Sequence, residues 1–315
     1  MRKKRYSGKG FEDFVLSRLS SDELETSKMV SEEIARDNSS WAFNASANRC
    51  FVKPDNQVSV LFNMWKNKKC LVVGAGMSVR REIGPIRLLQ QDGYKIIACD
   101  RMFGFLRSND VKPDLTISCD ATERVGLFFE RLDNEDAVVL SVQQHPSFVK
   151  AAVETTENVF FYYSINRFCP IANGIEHEYD ECFKESGILA HLLVGFNAVQ
   201  LAYAMGCKKI VLIGNELCWF HKEEIDRCYV EQHKISADEP RILIGKTKNG
   251  ELTWWSIGEF IDAANAFNDV AKFFNDAEWI DASGGLIYNM KKMTLSEVSK
   301  SERKAKWIWE KYATG

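Results

Sequence analysis

No window of the chain approaches the roughly 18 consecutive apolar residues that cross a membrane. The first thirty residues also lack the apolar core of a secretory signal. A protein with neither is expected to stay soluble in the cytoplasm, without a membrane span. Cysteine is present nine times but never as C-x-x-C, and several cysteines lie inside apolar runs, where the thiol behaves as a small hydrophobe. That pattern argues against a disulfide framework or a thiolate zinc site. A basic face is missing too. The formal net charge is −3, and the one basic run, Arg2 to Arg5, reads as a solvated tail, so nucleic acid is not an expected partner. No G-K-[ST] follows any glycine-rich turn, which excludes P-loop chemistry. Internal repeats and low-complexity segments are absent as well.

What is present fits one large domain with accessories: 315 residues, 45% of them hydrophobic. Residues 1–60 are polar and lean towards helix, and read as an N-terminal helical extension. From Leu71 the texture changes to short β-branched runs alternating with amphipathic segments. Strands are expected at 70–75, 95–99, 114–118, 137–142, 158–163, 208–214 and 278–282. Helices are expected near 79–91, 102–109, 122–132, 146–154, 187–205 and 256–275. Continuous apolar strands separated by helices mean a parallel sheet covered on both faces. The fold class is therefore α/β, a doubly wound, mainly parallel Rossmann-like sheet over residues 61–290. Residues 291–315 form a C-terminal helix with Trp307 and Trp309 available to dock. In such sheets ligands bind beyond the carboxyl ends of the strands, where strand order reverses. The loops at 74–78, 100–101, 119–122, 143–145, 164–167 and 215–221 are the places to look.

The first of these loops is GAGMSV. Gly74 and Gly76 allow close backbone approach, Ala75 lies between them, and Ser78 can cap the next helix or meet a phosphate. Asp100, ending the second strand, is placed to accept from a ribose hydroxyl. The third glycine of a dinucleotide fingerprint would fall at Val79, whose branched side chain resists tight helix–strand packing. Nucleotide phosphate binding, a nicotinamide or flavin cofactor, and a plain turn all remain open at this point.

Four segments together resemble one family. They are LVVGAGMSV (71–79), IIACDRMFGFLRSNDVKPDLTISCD (96–120), VGFNAVQLAYAMGCKKIVLIGNELCW (194–219) and WIDASGGLIY (279–288). In this order they resemble the MptE-like domain, shared by archaeal 6-hydroxymethylpterin diphosphokinases and by motility accessory factors that glycosylate flagellin. The resemblance runs from Cys70 to Tyr288. It implies a sialyltransferase-like Rossmann fold and a nucleotide-dependent transferase, but it leaves two chemistries open. The diphosphokinases carry T-D-L-D-G and H-x-H-G-D-N blocks suited to magnesium and triphosphate. This chain has ISCDAT, with the single Asp120, and no H-x-H-G-D-N. The CDRMF block resembles the C-N-[RQ]-F segment of bacterial sialyltransferases, which favours a CMP-activated sugar as donor. Met77 replaces the family's proline, and Asn215-Glu216 stands where an Asp is usual. A third reading is a nucleotide-binding protein that has lost catalysis.

Sugar transfer needs a base for the acceptor and donors for the leaving phosphate. His145, in QQHP, and His221 are the candidate bases; each also reads as an ordinary loop or helix-start histidine. Tyr162 and Tyr163 end the fifth strand, and alternation turns one of them to the core. Arg101 suits a phosphate or a surface ion pair. Asp100, Asp120 and Glu216 form the acidic set; Asp120 and Glu216 would hold a metal only if a nucleoside triphosphate is used. Asn197 inside a helix suits a ligand contact or helix packing, and Asn215, Ser283 and Gly284 complete the nucleotide-binding set. Trp254 and Trp255 read as packing at a helix entrance. No tightly bound cofactor is expected beyond the donor, CMP-sugar or Mg-ATP. The acceptor would be a glycan, a protein or a pterin-like alcohol, and a homo-oligomer is compatible with the sequence.

Overall fold

The computed structural model describes residues 41–165, 187–189, 193–220, 242–246 and 252–312. Its centre is a nine-stranded sheet, every neighbouring pair parallel. The strands are β1 (Lys69–Val73), β2 (Lys95–Cys99), β3 (Leu115–Ser118), β4 (Val138–Ser141), β5 (Val159–Ile165), β6 (Gly187–Leu189), β7 (Lys209–Ile213), β10 (Glu278–Asp281) and β11 (Lys291–Lys292). A separate antiparallel pair is formed by β8 (Ile242–Lys246) and β9 (Leu252–Ile257). The spatial order is β11-β10-β7-β1-β2-β3-β4-β5-β6. The chain lays β1 to β6 outward in one direction, then returns to place β7 against the free side of β1. The reversal lies between β1 and β7, and it fixes where a ligand crevice opens.

Alternation along each strand sorts the core into two layers. Cys70 and Val72 of β1, with Ile210 and Leu212 of β7, face α5 (Val194–Ala204) and α6 (Gly258–Phe273). Leu71, Val73, Val211 and Ile213 face the other way, towards α2 (Ile83–Gln91), α3 (Asp100–Ser108) and α7 (Leu295–Tyr312). Further along that second face, α4 (Pro146–Thr155) and the 3-10 helix Glu123–Phe129 cover β4 and β5. Helices on both faces of a parallel sheet make this a doubly wound α/β fold, as expected.

Residues 41–61 are stitched into this body. A helix over 41–48, α1, crosses the ends of β3 and β4. From it Asn44 Nδ2 donates to the carbonyls of Ala121 and Gln143, each at 3.1 Å. Asn48 Nδ2 donates to those of Val142 (2.9 Å) and Gln144 (2.7 Å). Val58 and Leu61 are buried in the main core. At the far end of the sheet, Glu302 of α7 binds Lys69, Lys209 (2.9 Å) and the Tyr94 hydroxyl (3.0 Å), closing the helix over the strand starts. Burial opposes ionisation of Glu302, but these three partners hold its carboxyl below the ordinary value.

All seven expected strands are present. The expected helix over 79–91 is a 3-10 turn, Met77–Arg81, followed by α2, and 122–132 is 3-10 as well. The expected helix over 187–205 is wrong in its first part. Gly187–Leu189 is the edge strand β6, and α5 starts only at Val194. Periodicity alone could not separate that short apolar stretch from the helix behind it. The β8–β9 pair was missed as strands; Trp255 lies in it, bridged to Trp219, immediately before α6.

Candidate functional site

The crevice at the reversal is built from three turns that meet backbone to backbone. Gly74 N–H donates to Ile213 O and Gly76 N–H to Gly214 O, each at 2.8 Å, which binds the β1 turn to the end of β7. Gly214 has φ of +74°, and a side chain there would run into Gly74 O and Val79 Cγ2. This explains the missing third glycine. Val79 is fully buried, and the close approach that a glycine would allow on the helix is supplied by Gly214 on the opposite strand.

The third turn is Ser283-Gly284-Gly285. Ser283 Oγ accepts from Asn215 N–H (2.9 Å), and Leu286 N–H donates to Glu216 O (2.9 Å). Behind it the wholly buried Asp281 carboxylate accepts from Ser283 N–H (2.8 Å) and pairs with Lys292, which also reaches Gly285 O (3.0 Å). Asn268, buried in α6, accepts from Tyr288 and Asn289 N–H at 2.8 Å each and holds the loop that follows. Sequence reasoning missed Asp281, Lys292 and Asn268. The signal for the first was an aspartate directly after the apolar pair Trp279-Ile280 at the end of a strand.

Glu216 and Ser78 were expected to face a nucleotide, and instead they face each other. Glu216 Oε1 accepts from Ser78 N–H at 2.6 Å, and Oε2 takes up the space that a side chain on Gly76 would need. Burial pushes the Glu216 carboxyl above its ordinary value, partly offset by the Ser78 hydrogen bonds. Ala75 and Gly284 stay exposed at the rim.

A second group lies one to four strands from β1. Asp100 begins α3 with its carboxylate buried. Oδ1 accepts from Arg101 N–H (2.7 Å) and Oδ2 from Ser118 Oγ (2.7 Å). Ser118 in turn accepts from Gln144 Nε2 (2.9 Å). Burial raises the Asp100 carboxyl to about 6, against the opposing hydrogen bonds of Ser118 and Arg101. On the other side of the sheet end, the Tyr162 hydroxyl donates to Ser118 O (3.2 Å) and accepts from Asn197 Nδ2 (2.9 Å). Tyr162 and Tyr163 are both buried, on opposite faces. Tyr163 packs in the cluster under α4, on the face opposite Tyr162. Burial drives the Tyr162 phenol well above its ordinary value, which makes it a fixed hydrogen-bonding bridge and a poor proton donor to a leaving group.

His145 caps the start of α4, half-buried, with Nδ1 2.7 Å from Ser147 Oγ. Arg101 points outward, its guanidinium over the Phe128 ring. Asp120 closes its own turn on Thr122 N–H (2.8 Å). The strand order β7-β1-β2-β3 puts Asp120 and Glu216 at the ends of strands that are not neighbours. Three strand spacings, about 14 Å, separate their strands, and Glu216 is already turned onto Ser78. Among the described residues no group of three His, Cys, Asp or Glu is arranged to hold an ion. No helix among them is long and apolar enough to cross a membrane. His221 lies outside the described residues. A cavity of about 640 Å³ opens between the 3-10 helix Glu123–Phe129 and α4, but none of the network residues above line it.

The fold is similar to that of the MAf glycosyltransferase from Magnetospirillum magneticum AMB-1, with a TM-score of 0.56 and 15% sequence identity. The likeness covers 80% of this chain but only 41% of that one, so this chain spans less than half the length of its structural relative. No curated protein matches the sequence. Residues 45–222 match the family described as 6-hydroxymethylpterin diphosphokinase MptE-like. The match begins inside α1, so the helix bearing Asn48 belongs to it, while the Ser283 turn lies beyond it. It takes in more than half of the chain, and the protein belongs to the MptE-like family.

Proposed function

We propose that the protein is a nucleotide-dependent transferase that moves a sugar from a CMP-activated donor, a nonulosonate, to an acceptor hydroxyl. One observation carries the choice between the family's two chemistries. Of the three carboxylates that would position magnesium–ATP, Asp120 and Glu216 end strands three places apart, and Asp100, Asp120 and Glu216 are each engaged locally. A CMP donor asks less of the site. Its single phosphate and its base need hydrogen-bond partners, and an acceptor hydroxyl needs a base. The crevice beside Asp100, Ser118 and Gln144 is rich in such partners. His145, which follows Gln144 in the turn after β4, takes the acceptor proton as the new glycosidic bond forms and the bond to the CMP phosphate breaks. The similarity in fold to a glycosyltransferase supports this reading.

Calorimetric titration tests it. CMP is expected to bind at micromolar to millimolar levels without added metal and more tightly than Mg-ATP. Binding of Mg-ATP with none of CMP would transfer the assignment to the diphosphokinase chemistry.

A further inference from the structure

Two hydrogen-bond relays meet at Ser118, and each is anchored by a group that can only accept. In the first, the ionised Asp100 carboxylate takes the Ser118 hydroxyl proton, so Ser118 Oγ must accept from the Gln144 amide NH2. The planar amide then turns Gln144 Oε1 away from Ser118. In the second, the Ser118 carbonyl takes the Tyr162 hydroxyl proton, so Tyr162 must accept from the Asn197 NH2 and Asn197 Oδ1 is left over. Asn48 follows the same logic. Its NH2 serves two main-chain carbonyls, which leaves Oδ1 without a donor. The amide orientations are thus set by chemistry and not by an arbitrary choice of O over N. Gln144, Asn197 and Asn48 are 0%, 1% and 0% exposed, and none of these three oxygens has a hydrogen-bond partner. A buried acceptor left unsatisfied is a standing cost to the fold. Of the three, Gln144 Oε1 is the one that ends the Asp100–Ser118 relay.

We propose that the Gln144 side-chain carbonyl is the recognition point for the exocyclic amino group of a heterocyclic base. The inference rests on the crevice being a nucleotide site and adds what that site reads. Cytosine carries an amino group where uracil carries a carbonyl, and a carbonyl would face Gln144 Oε1 acceptor to acceptor. The pterin ring carries an amino group where lumazine carries a carbonyl, so the same chemistry has a second source.

The relay supplies its own control. In Asp100→Asn, the amide oxygen must stay with Arg101 N–H, so its NH2 faces Ser118. Ser118 then donates to Gln144, whose amide turns over and presents NH2. The polarity of the reading atom reverses with almost no change in shape.

Titrations of CMP against UMP, and of 6-hydroxymethylpterin against 6-hydroxymethyllumazine, test the proposal in wild type, Gln144→Met and Asp100→Asn. Wild type is expected to favour CMP by roughly tenfold or more, the worth of about one hydrogen bond. Gln144→Met should bring CMP down to the UMP level while UMP affinity holds, and Asp100→Asn should favour UMP. Should Gln144→Met not fold, Asp100→Asn carries the test alone. Equal binding of CMP and UMP in wild type would overturn the proposal while leaving a nucleotide site standing. A preference for CMP that survives both substitutions would also overturn it. Amino-selective, Gln144-dependent binding of the pterin without CMP binding would uphold the reading of the amino group and sink the CMP assignment. Binding of none of the four probes would overturn both.

Discussion

Gly285→Ala is expected to be the most damaging single substitution around the crevice, costing about 3 kcal/mol or more and lowering the denaturation midpoint accordingly. A methyl group there would collide with the carbonyl oxygen, carbonyl carbon and Cα of Glu216. Those are main-chain atoms, already pinned by the Leu286 N–H to Glu216 O bond, and no rotamer change moves them aside. Gly76→Ala should be milder. Its methyl meets chiefly the end of the Glu216 side chain, which can swing out for the loss of the Ser78 hydrogen bond, worth about 1–3 kcal/mol because the carboxylate is buried. Adding Glu216→Ala to Gly76→Ala should recover part of that loss, so the two changes should be less than additive. Gly84→Ala, with open space around its would-be methyl, should be nearly neutral. Urea denaturation of the four variants checks the order. Equal stability of Gly285→Ala and Gly84→Ala would contradict the close approach of the two turns.

Asp100→Asn is expected to stabilise the fold at pH 7.5 by about 1–3 kcal/mol and to flatten its pH profile. The sign follows from the raised pKa of a buried carboxyl. Below the unfolded value near 3.8, both states are protonated and no cost is paid. As pH rises towards about 6, the unfolded chain releases this proton while the folded one still holds it, so stability falls. Above that range the cost levels off at about 3 kcal/mol, from roughly two pKa units. A neutral isostere escapes that penalty while keeping partners for Arg101 and Ser118. Guanidinium unfolding between pH 4 and 8 should show this decline in wild type and a shallower one in the variant. Parallel profiles would mean that Asp100 is solvated. The substitution that stabilises should also invert the base preference, as expected where a site holds a buried charge for function.

The strands were legible because a parallel sheet covered on both faces demands continuous apolar runs, and each of the seven expected runs supplies a strand. The region of the site was legible for a related reason. Strand ends are fixed once strands are known, and Gly74, Asp100, Gln144, Asn215 and Ser283 all lie there. Which partner each residue meets was not legible. Glu216 lies 138 residues from Ser78, and only the return of β7 beside β1 brings them together. The third glycine looked absent because it was sought on the helix, whereas Gly214 supplies the close approach from another strand. Asn44 and Asn48 form an i, i+4 pair on a short helix, a spacing that marks one face but does not say what that face covers. That Asp120 and Glu216 end strands three places apart was not legible either, for want of the strand order. Gln144 passed unnoticed beside His145, because a glutamine shows its role only when its hydrogen-bond polarity is forced.

The most direct test of the account is product analysis with a CMP-activated nonulosonate and, separately, with ATP, magnesium and 6-hydroxymethylpterin. The account predicts release of CMP from the first donor, slow to water and faster with an acceptor alcohol, abolished by His145→Ala and lost on Asp100→Asn. Release of AMP with formation of a pterin diphosphate, and no CMP from the sugar donor, would contradict it.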